Sequence, residues 1–243
     1  MNKKQYTRDE VCLPASKLAE IVNGQDHSDN ASPWRIFKIM AELVDGFEFL
    51  KKYGKSATFF GSARCSFDNK IYKETTKLAS ALSKDGFAII TGGGPGIMEA
   101  ANKGAYEENG QSVGINIKLP MEQRINKYVK SSEAFHYFFT RKIMLSFASE
   151  VYIYFPGGFG TLDEFFEIIT LVQTKKIKPV PVVLINKEYW TPLLNWIKQD
   201  VYGKNKAIDE KDMNIYKLVD NADEAIEYIR SLNIKDKGMP GEY

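Results

Sequence analysis

Histidine and cysteine are nearly absent from this chain of 243 residues, which has two of each. Cys12 and Cys65 stand far apart without C-x-x-C spacing, and so few thiol and imidazole ligands cannot assemble a conventional zinc site. No metal and no resident cofactor are therefore expected, and a reduced, cytoplasmic protein fits the cysteine usage best. An excess of charge of one sign is missing too: 33 basic and 31 acidic residues are mixed along the chain, a net +2 that makes no electrostatic case for nucleic acid or an anionic membrane. The partner expected is a small molecule. No run approaches the roughly 18 consecutive apolar residues of a membrane span. The first thirty residues carry charges from Lys3 to Glu20 and no apolar core of signal-peptide length, so neither export nor anchoring is expected.

Linkers are scarce as well. With no Pro/Gly/Ser-rich interruption in the middle, the reading is a polar arm at 1–32, one domain at 33–234 and an aperiodic tail at 235–243 expected to be flexible. Ser32-Pro33 makes an N-cap and first-turn pair for a helix to about Lys52 that would bury Ile36, Ile39, Met40, Leu43, Phe47 and Leu50. Apolar strands then alternate with helical periods: strands at 57–60, 87–90, 112–117, 150–155 and 180–185, with a further short one at 137–139. Helices are expected at 71–84, from Gly96 to about 108, at 140–149, from Thr161 to Thr174, and near 190–200 and 223–232. Continuously apolar strands separated by helices specify a parallel sheet covered on both faces, an α/β Rossmann-like three-layer fold with a mostly parallel central sheet.

Three glycine-bearing turns directly follow strands, at 61–64, 92–96 and 157–160, so they should gather on the carboxyl rim where such sheets bind ligands. The third is the richest. In Pro156-Gly157-Gly158-Phe159-Gly160-Thr161-Leu162-Asp163-Glu164 a buried strand turns into a helix through glycines and delivers two carboxylates. Backbone without β-carbons lets N–H groups approach an anion, and the new helix points its positive end the same way. A structural reading stands beside this one: glycines also make tight turns, Thr161 can cap the helix, and first-turn carboxylates are favoured by the helix dipole.

Familiar nucleotide signatures fail. G-x-G-x-x-G counted from Gly92 needs a glycine where Ile97 stands, and a P-loop ending at Gly54-Lys55-Ser56 needs one where Phe49 stands. Two unrelated glycine loops suit a mononucleotide better than a dinucleotide.

Pro156-Gly-Gly-Phe-Gly-Thr161 with Glu164, Thr91-Gly-Gly-Gly-Pro-Gly-Ile-Met-Glu-Ala-Ala-Asn102 and Arg141-Lys142 together resemble the Lonely-guy (LOG) family of nucleoside 5′-monophosphate phosphoribohydrolases. The resemblance runs from about Ala57 to Trp196, and Leu119-Pro-Met-Glu-Gln123 is similar to the longer bacterial branch. It implies hydrolysis of the base–ribose bond of AMP or a cytokinin riboside 5′-monophosphate, giving free base and ribose 5-phosphate. It further implies that Gly157, Gly158, Gly160 and Thr161 hold the 5′-phosphate, that Arg141 and Glu164 carry the chemistry, and that Lys142 and Glu122 contact substrate. Homo-oligomerisation, with the first helix and the aromatic residues as interface, is implied in the same way. Members are often labelled lysine decarboxylases. That chemistry needs a pyridoxal phosphate Schiff-base lysine with a partner for the ring nitrogen, and neither is identifiable in the sequence.

The residue types suit N-glycoside cleavage. Positive charge builds on the ribose as the base leaves, so a carboxylate belongs near the sugar and a cation or acid near the base. Glu164 can stabilise the sugar cation, bind its hydroxyls or deprotonate water, whereas Arg141 stays protonated and acts electrostatically. Gly93 and Gly94 of the second loop and Ser62 of the first complete the candidate substrate-binding set, with a turn role for Ser62 and Arg64 equally open. Asp163 is read as completing the helix start, Glu99 as a helix-end charge, His136 as a packed histidine, and the aromatics 137–139 as core. A non-catalytic nucleotide- or cofactor-binding module is the competing reading. It would not require Arg141 and Glu164 together.

Overall fold

A computed structural model describes residues 33–118 and 125–235. The arm expected at 1–32, Glu122 and its neighbours, and all of the expected tail except Lys235 lie outside the described residues. In chain order the elements are α1 (Pro33–Leu50), β1 (Ser56–Phe60), α2 (Lys70–Lys84), β2 (Ala88–Thr91), α3 (Ile97–Glu107), β3 (Ser112–Ile117), β4 (Ser131–Phe135), α4 (Phe138–Phe147), β5 (Val151–Tyr154), α5 (Phe159–Gln173), β6 (Val182–Ile185), α6 (Lys187–Trp196), β7 (Tyr216–Val219) and α7 (Ala222–Ser231). Among the described residues no helix is long and apolar enough to cross a membrane.

The seven strands form one sheet in the order β4-β3-β2-β1-β5-β6-β7, and every pair is parallel. Inner strands β1, β2, β5 and β6 are buried at every position because helices cover both faces. Side chains alternate across the sheet. Ala57, Phe59, Val151 and Ile153 pack beneath α2, α3 and α7, while Phe60, Tyr152 and Tyr154 pack against α1, α4, α5 and α6. The Phe60 and Tyr154 rings stack at 5.0 Å between centroids, and Tyr154 meets Phe165 of α5 edge-on at 5.6 Å. At the amino ends of β1 and β5, buried Glu150 accepts hydrogen bonds from the Ser56 amide (2.6 Å) and hydroxyl (3.0 Å), which locks those two strands in register.

Three expectations are corrected. Tyr137–Phe139 is not a strand: β4 lies earlier, at 131–135, and Phe138 begins α4. Aromatic β-propensity loses here to a tertiary contact with Glu42 of α1. Its carboxylate accepts from the His136 amide (2.6 Å), the Tyr137 amide (3.3 Å) and the Thr140 hydroxyl (2.6 Å), placing a negative group at the start of α4. Strand β7, unanticipated, is an edge strand only partly buried, so it lacks the continuous apolar run of the inner strands. Finally, α1 buries Phe49 and Leu50 but leaves Ile36, Met40 and Phe47 exposed, along with Trp34, Phe37 and Val44. Its amphipathic period is real, yet most of its apolar face is not covered by the other described residues.

Helices α2 and α3 cross closely because small residues line the crossing. A Cβ added at Gly104 would lie 2.4 Å from the Thr76 carbonyl oxygen and 2.8 Å from the Ser80 nitrogen, both backbone atoms that cannot step aside. Alanine is the better helix former by about 1 kcal/mol, so any loss in Gly104→Ala reports the contact. Gly104→Ala is expected to destabilise by about 1–3 kcal/mol, a fall in Tm of roughly 2–12 °C by thermal denaturation.

Candidate functional site

Strand order reverses between β1 and β5. Crossover α2 leaves β1 for one face and α5 leaves β5 for the other, so the loops leaving the two strands part and open a crevice. The loops are tied at their base: the Phe155 amide donates to the Phe60 carbonyl (2.9 Å) and the Ser62 amide to the Pro156 carbonyl (3.0 Å). The Ile97 amide, first in α3, donates to the Ser62 carbonyl at 3.0 Å. Gly96 makes that approach possible. Its φ is +71°, and a Cβ there would lie 2.3 Å from the Ser62 oxygen.

The resulting cleft has a volume of about 880 Å³ and is lined by all three glycine turns, with Arg141, Phe138 and Leu145 from α4, Thr161, Asp163 and Glu164 from α5, and Tyr189 from α6. A shallower depression of about 560 Å³ at the β7 edge, lined by Lys198, Glu210 and Tyr216 among others, has no glycine loop.

Within the third loop the glycines differ in purpose. Gly157 sits on the Thr161 side chain, where a Cβ would meet Oγ1 at 2.1 Å, whereas a Cβ at Gly158 or Gly160 would meet nothing within 4 Å. The fold itself does not demand glycine at 158 and 160. Their bareness keeps open the approach to the first turn of α5, whose leading amides have no intrahelical partner. Tyr189 orients this loop from outside: its hydroxyl donates to the Gly157 carbonyl at 2.6 Å, which in a planar trans peptide turns the Gly158 N–H to the opposite side. Asn186 sets Tyr189 in turn. At φ +86° it caps α6, its side chain accepting from the Tyr189 amide at 2.9 Å.

Arg141 and Glu164 face the same cleft from different helices. The Arg141 Nε–H donates to the Ile115 carbonyl at 2.9 Å, and its guanidinium lies over bare Gly92, where a Cβ would come within 2.4 Å of a terminal nitrogen. Burial pulls the Arg141 pKa down and the nearby Glu164 charge opposes this. Glu164 is 7% exposed, and its Oε2 is buried without a hydrogen-bond partner among the described residues. Burial, against the pull of Lys142, pushes its pKa up to about 7; Glu167 and Asp163 add to the rise and Arg141 lowers it. A carboxyl poised there can give or take a proton at neutral pH. No ion pair within 4.0 Å joins Arg141 to Glu164 among the described residues, so two opposite charges share a cleft without closing it.

Of the residues singled out in sequence, Ser62, Gly157, Gly158, Gly160, Thr161, Arg141 and Glu164 come together in this lining, whereas Gly93, Gly94 and Lys142 do not. Glu122 lies outside the described residues. Gly93, at φ +72°, is seated against Asn116, and the Gly93 and Gly94 carbonyls accept from Asn126. Ser62 spends its hydroxyl accepting from the Arg64 amide at 3.1 Å. Asp163 pairs with Lys142 at 2.6 Å. His136 packs edge-on to Tyr137 and is not in the lining. Phe138 and Phe139 prove not to be core, being 59% and 45% exposed at the start of α4, and Phe138 stands in the cleft lining. Phe159, 92% exposed, joins Phe138 there. Tyr189, Glu42 and Asn126 escaped sequence reasoning because their partners are distant in the chain. Only the position of Tyr189 just past a strand end placed it on the rim. Among the described residues, no cluster of three His, Cys, Asp or Glu side chains suits a metal ion.

A raised carboxyl pKa means that the folded state holds a proton the unfolded chain releases, so its contribution falls as pH rises from 4.5 to about 7. Glu164→Gln is expected to be more stable than the parent by on the order of 1–3 kcal/mol at pH 8 and to match it near pH 4, as read by urea unfolding at both pH values.

A family model described as "Possible lysine decarboxylase" matches residues 98–229, more than half of the chain. The cytokinin riboside 5′-monophosphate phosphoribohydrolase LOG1 of Arabidopsis thaliana is 31% identical over 168 residues, covering 67% of this chain and 74% of that one. The cytokinin riboside 5′-monophosphate phosphoribohydrolase of Rhodococcoides fascians is 25% identical over 59% of this chain and 74% of its own. Among solved structures, the molybdenum cofactor binding protein of Rippkaea orientalis superposes with a TM-score of 0.54 at 21% identity, over 74% of this chain and 96% of that one, a likeness of fold alone. The family match and the named relatives together make this protein a member of the Lonely-guy (LOG) family, whose model carries the lysine decarboxylase description.

Proposed function

We propose that the protein is a phosphoribohydrolase that cleaves the N-glycosidic bond of a nucleoside 5′-monophosphate, AMP or a cytokinin riboside 5′-monophosphate, to free base and ribose 5-phosphate. The observation that carries this reading is the meeting of Arg141 and Glu164, unpaired with each other, beside the Gly157–Thr161 loop in one cleft. The 5′-phosphate rests on the amides at the start of α5, oriented by Tyr189, and its binding energy places the ribose against Glu164. As the C1′–N bond breaks, its electron pair leaves with the base. Water adds to C1′, and the proton that water loses ends on the base. Glu164 either takes that proton or offsets the positive charge on the sugar, while the Arg141 guanidinium stabilises charge on the departing base or on the phosphate. Phe138 and Phe159 offer apolar faces for the base at the mouth. The relatives' names support the reaction class. Decarboxylation finds less support, since no lysine is in the lining and the ammonium of Lys142 is committed to carboxylates. The reading suits a cytoplasmic enzyme.

Chromatography of a nucleoside 5′-monophosphate panel, with N6-isopentenyl-AMP included, should detect free base and ribose 5-phosphate. Release should fall by roughly 10²–10⁴-fold in Glu164→Gln, and adenosine should turn over roughly 10²-fold more slowly than AMP. Intact nucleotides that nonetheless raise the melting temperature would assign a non-catalytic binding module instead.

The exposed row Trp34, Phe37, Met40 and Val44 on α1, with exposed Phe47 against Phe147 of α4, is the surface we assign to a homo-oligomer interface. Light scattering coupled to size exclusion should find more than one subunit, and Trp34→Lys with Phe37→Glu should reduce the mass to that of one chain, 27.6 kDa.

A further inference from the structure

Lys142 follows Arg141 in sequence, yet the helix turns it away from the cleft and onto α5. Its ammonium lies 2.6 Å from Asp163 Oδ2, 2.7 Å from Glu167 Oε2 and 3.9 Å from Glu164 Oε1. Residues 163, 164 and 167 stand at i, i+1 and i+4 along α5, so a single cation from α4 faces three neighbouring carboxylates. The three contacts are not equivalent. Asp163 is 57% exposed and its pairing is screened by water, whereas Lys142 is 22% exposed and Glu167 24%, and the Glu164 side chain only 9%. The less hydrated pair is Lys142 with Glu167, and Glu164 is the group it borders.

We infer that Lys142 and Glu167 are positioning residues, a brace between α4 and α5 that holds the orientation and charge state of the Glu164 carboxyl. Glu167 has no other assigned task, and a lysine serving only to join the helices would be satisfied by Asp163 and Glu167 without standing beside Glu164. The inference rests on the reading of Glu164 as the reacting carboxyl.

The groups facing Glu164 have definite signs. From α4, Arg141 and Lys142 favour the carboxylate; on α5, Glu167 and Asp163 oppose it. From β5 the Tyr154 hydroxyl donates to the Glu164 backbone carbonyl at 3.0 Å, and burial keeps that phenol neutral. Arg64 stands on the exposed rim. Burial works against the Lys142 ammonium, but Asp163 and Glu167 outweigh it and keep the charge in place. Removing the Lys142 charge should therefore raise the Glu164 titration midpoint. Removing the Glu167 charge should lower it, both by deleting a like charge and by releasing Lys142 toward Glu164.

Opposite shifts show that both charges act on Glu164, and a matching movement of the kcat profile, which a purely structural staple would not produce, shows that they act through it on the reaction. The experiment is a carbon-13 NMR titration of side-chain carboxyls in the full chain, with the Glu164 resonance identified by its loss in Glu164→Gln, repeated in Lys142→Gln, Glu167→Gln and Lys142→Arg. The expected result is a midpoint moved up in Lys142→Gln, moved down in Glu167→Gln and close to the parent in Lys142→Arg, with the acid limb of the pH–kcat profile moving alike. An unmoved midpoint in both glutamine variants overturns the brace, as does a raised KM for AMP in Lys142→Gln with no change in the pH profile. If the parent protein cleaves no nucleotide, the hydrolase reading fails on its own, and the titration still decides whether the brace exists.

Discussion

Parallel pairing is the constraint on which the rest of this structure depends. Each strand must be followed by a crossover that returns over one face of the sheet, and right-handed crossovers moving in opposite directions along the sheet cover opposite faces. Chain order runs outward from β1 toward β4 and, after α4 brings it back to the centre, outward again from β5 toward β7. The loops after β1 and β5 therefore diverge above two strands in full register, and the cleft is the space left between them. A buried Glu150–Ser56 contact at the opposite end keeps that register, so the base of the site is rigid while its rim is built from turns.

Chemistry at the rim is divided between helices that are far apart in sequence. α5 brings Glu164 as its sixth residue, one turn beyond the bare loop, which fixes the carboxyl relative to that loop. α4 brings Arg141, and its start is held to α1 through Glu42, whose carboxylate accepts from the two amides just before the helix and from the Thr140 hydroxyl. This gives α1 two tasks: its middle seats α4, while it turns outward an apolar face that none of the other described residues covers. Tyr189 plays the corresponding part on the other side, reaching from α6 to the carbonyl of Gly157.

Electrostatically, the cleft keeps charges from neutralising each other. Arg141 is held by a backbone carbonyl and by the flat surface of Gly92, not by Glu164. Lys142, its neighbour, is drawn the other way into the carboxylates of α5. Glu164 is left buried, partly compensated and with one oxygen unpartnered, a costly arrangement for a fold seeking only stability and a useful one for proton transfer.

Much of this was legible in the amino-acid order, because it depends on local rules. Continuous apolar runs between helical periods specified parallel strands, and glycines just past strand ends specified a carboxyl rim whose backbone is open at Gly158 and Gly160. Spacing put Asp163 and Glu164 in the first turn of a helix beginning at Thr161, but the helix starts two residues earlier, at Phe159. Both carboxylates therefore lie past the first turn, and Asp163 does not complete the helix start. What sequence could not decide were contacts between distant segments. The aromatic run 137–139 reads as strand until Glu42 arrives from α1 to start a helix there. Gly93 reads like Gly158 until Asn116 is found filling the space beside it. Lys142 reads like Arg141 until the turn of α4 separates them, one residue and about 100° apart, one toward the cleft and the other toward Glu167. Local periodicity chooses the elements, but which face of each meets which neighbour is a property of the packed sheet, and at this site that choice separates the residues facing the cleft from those that hold them.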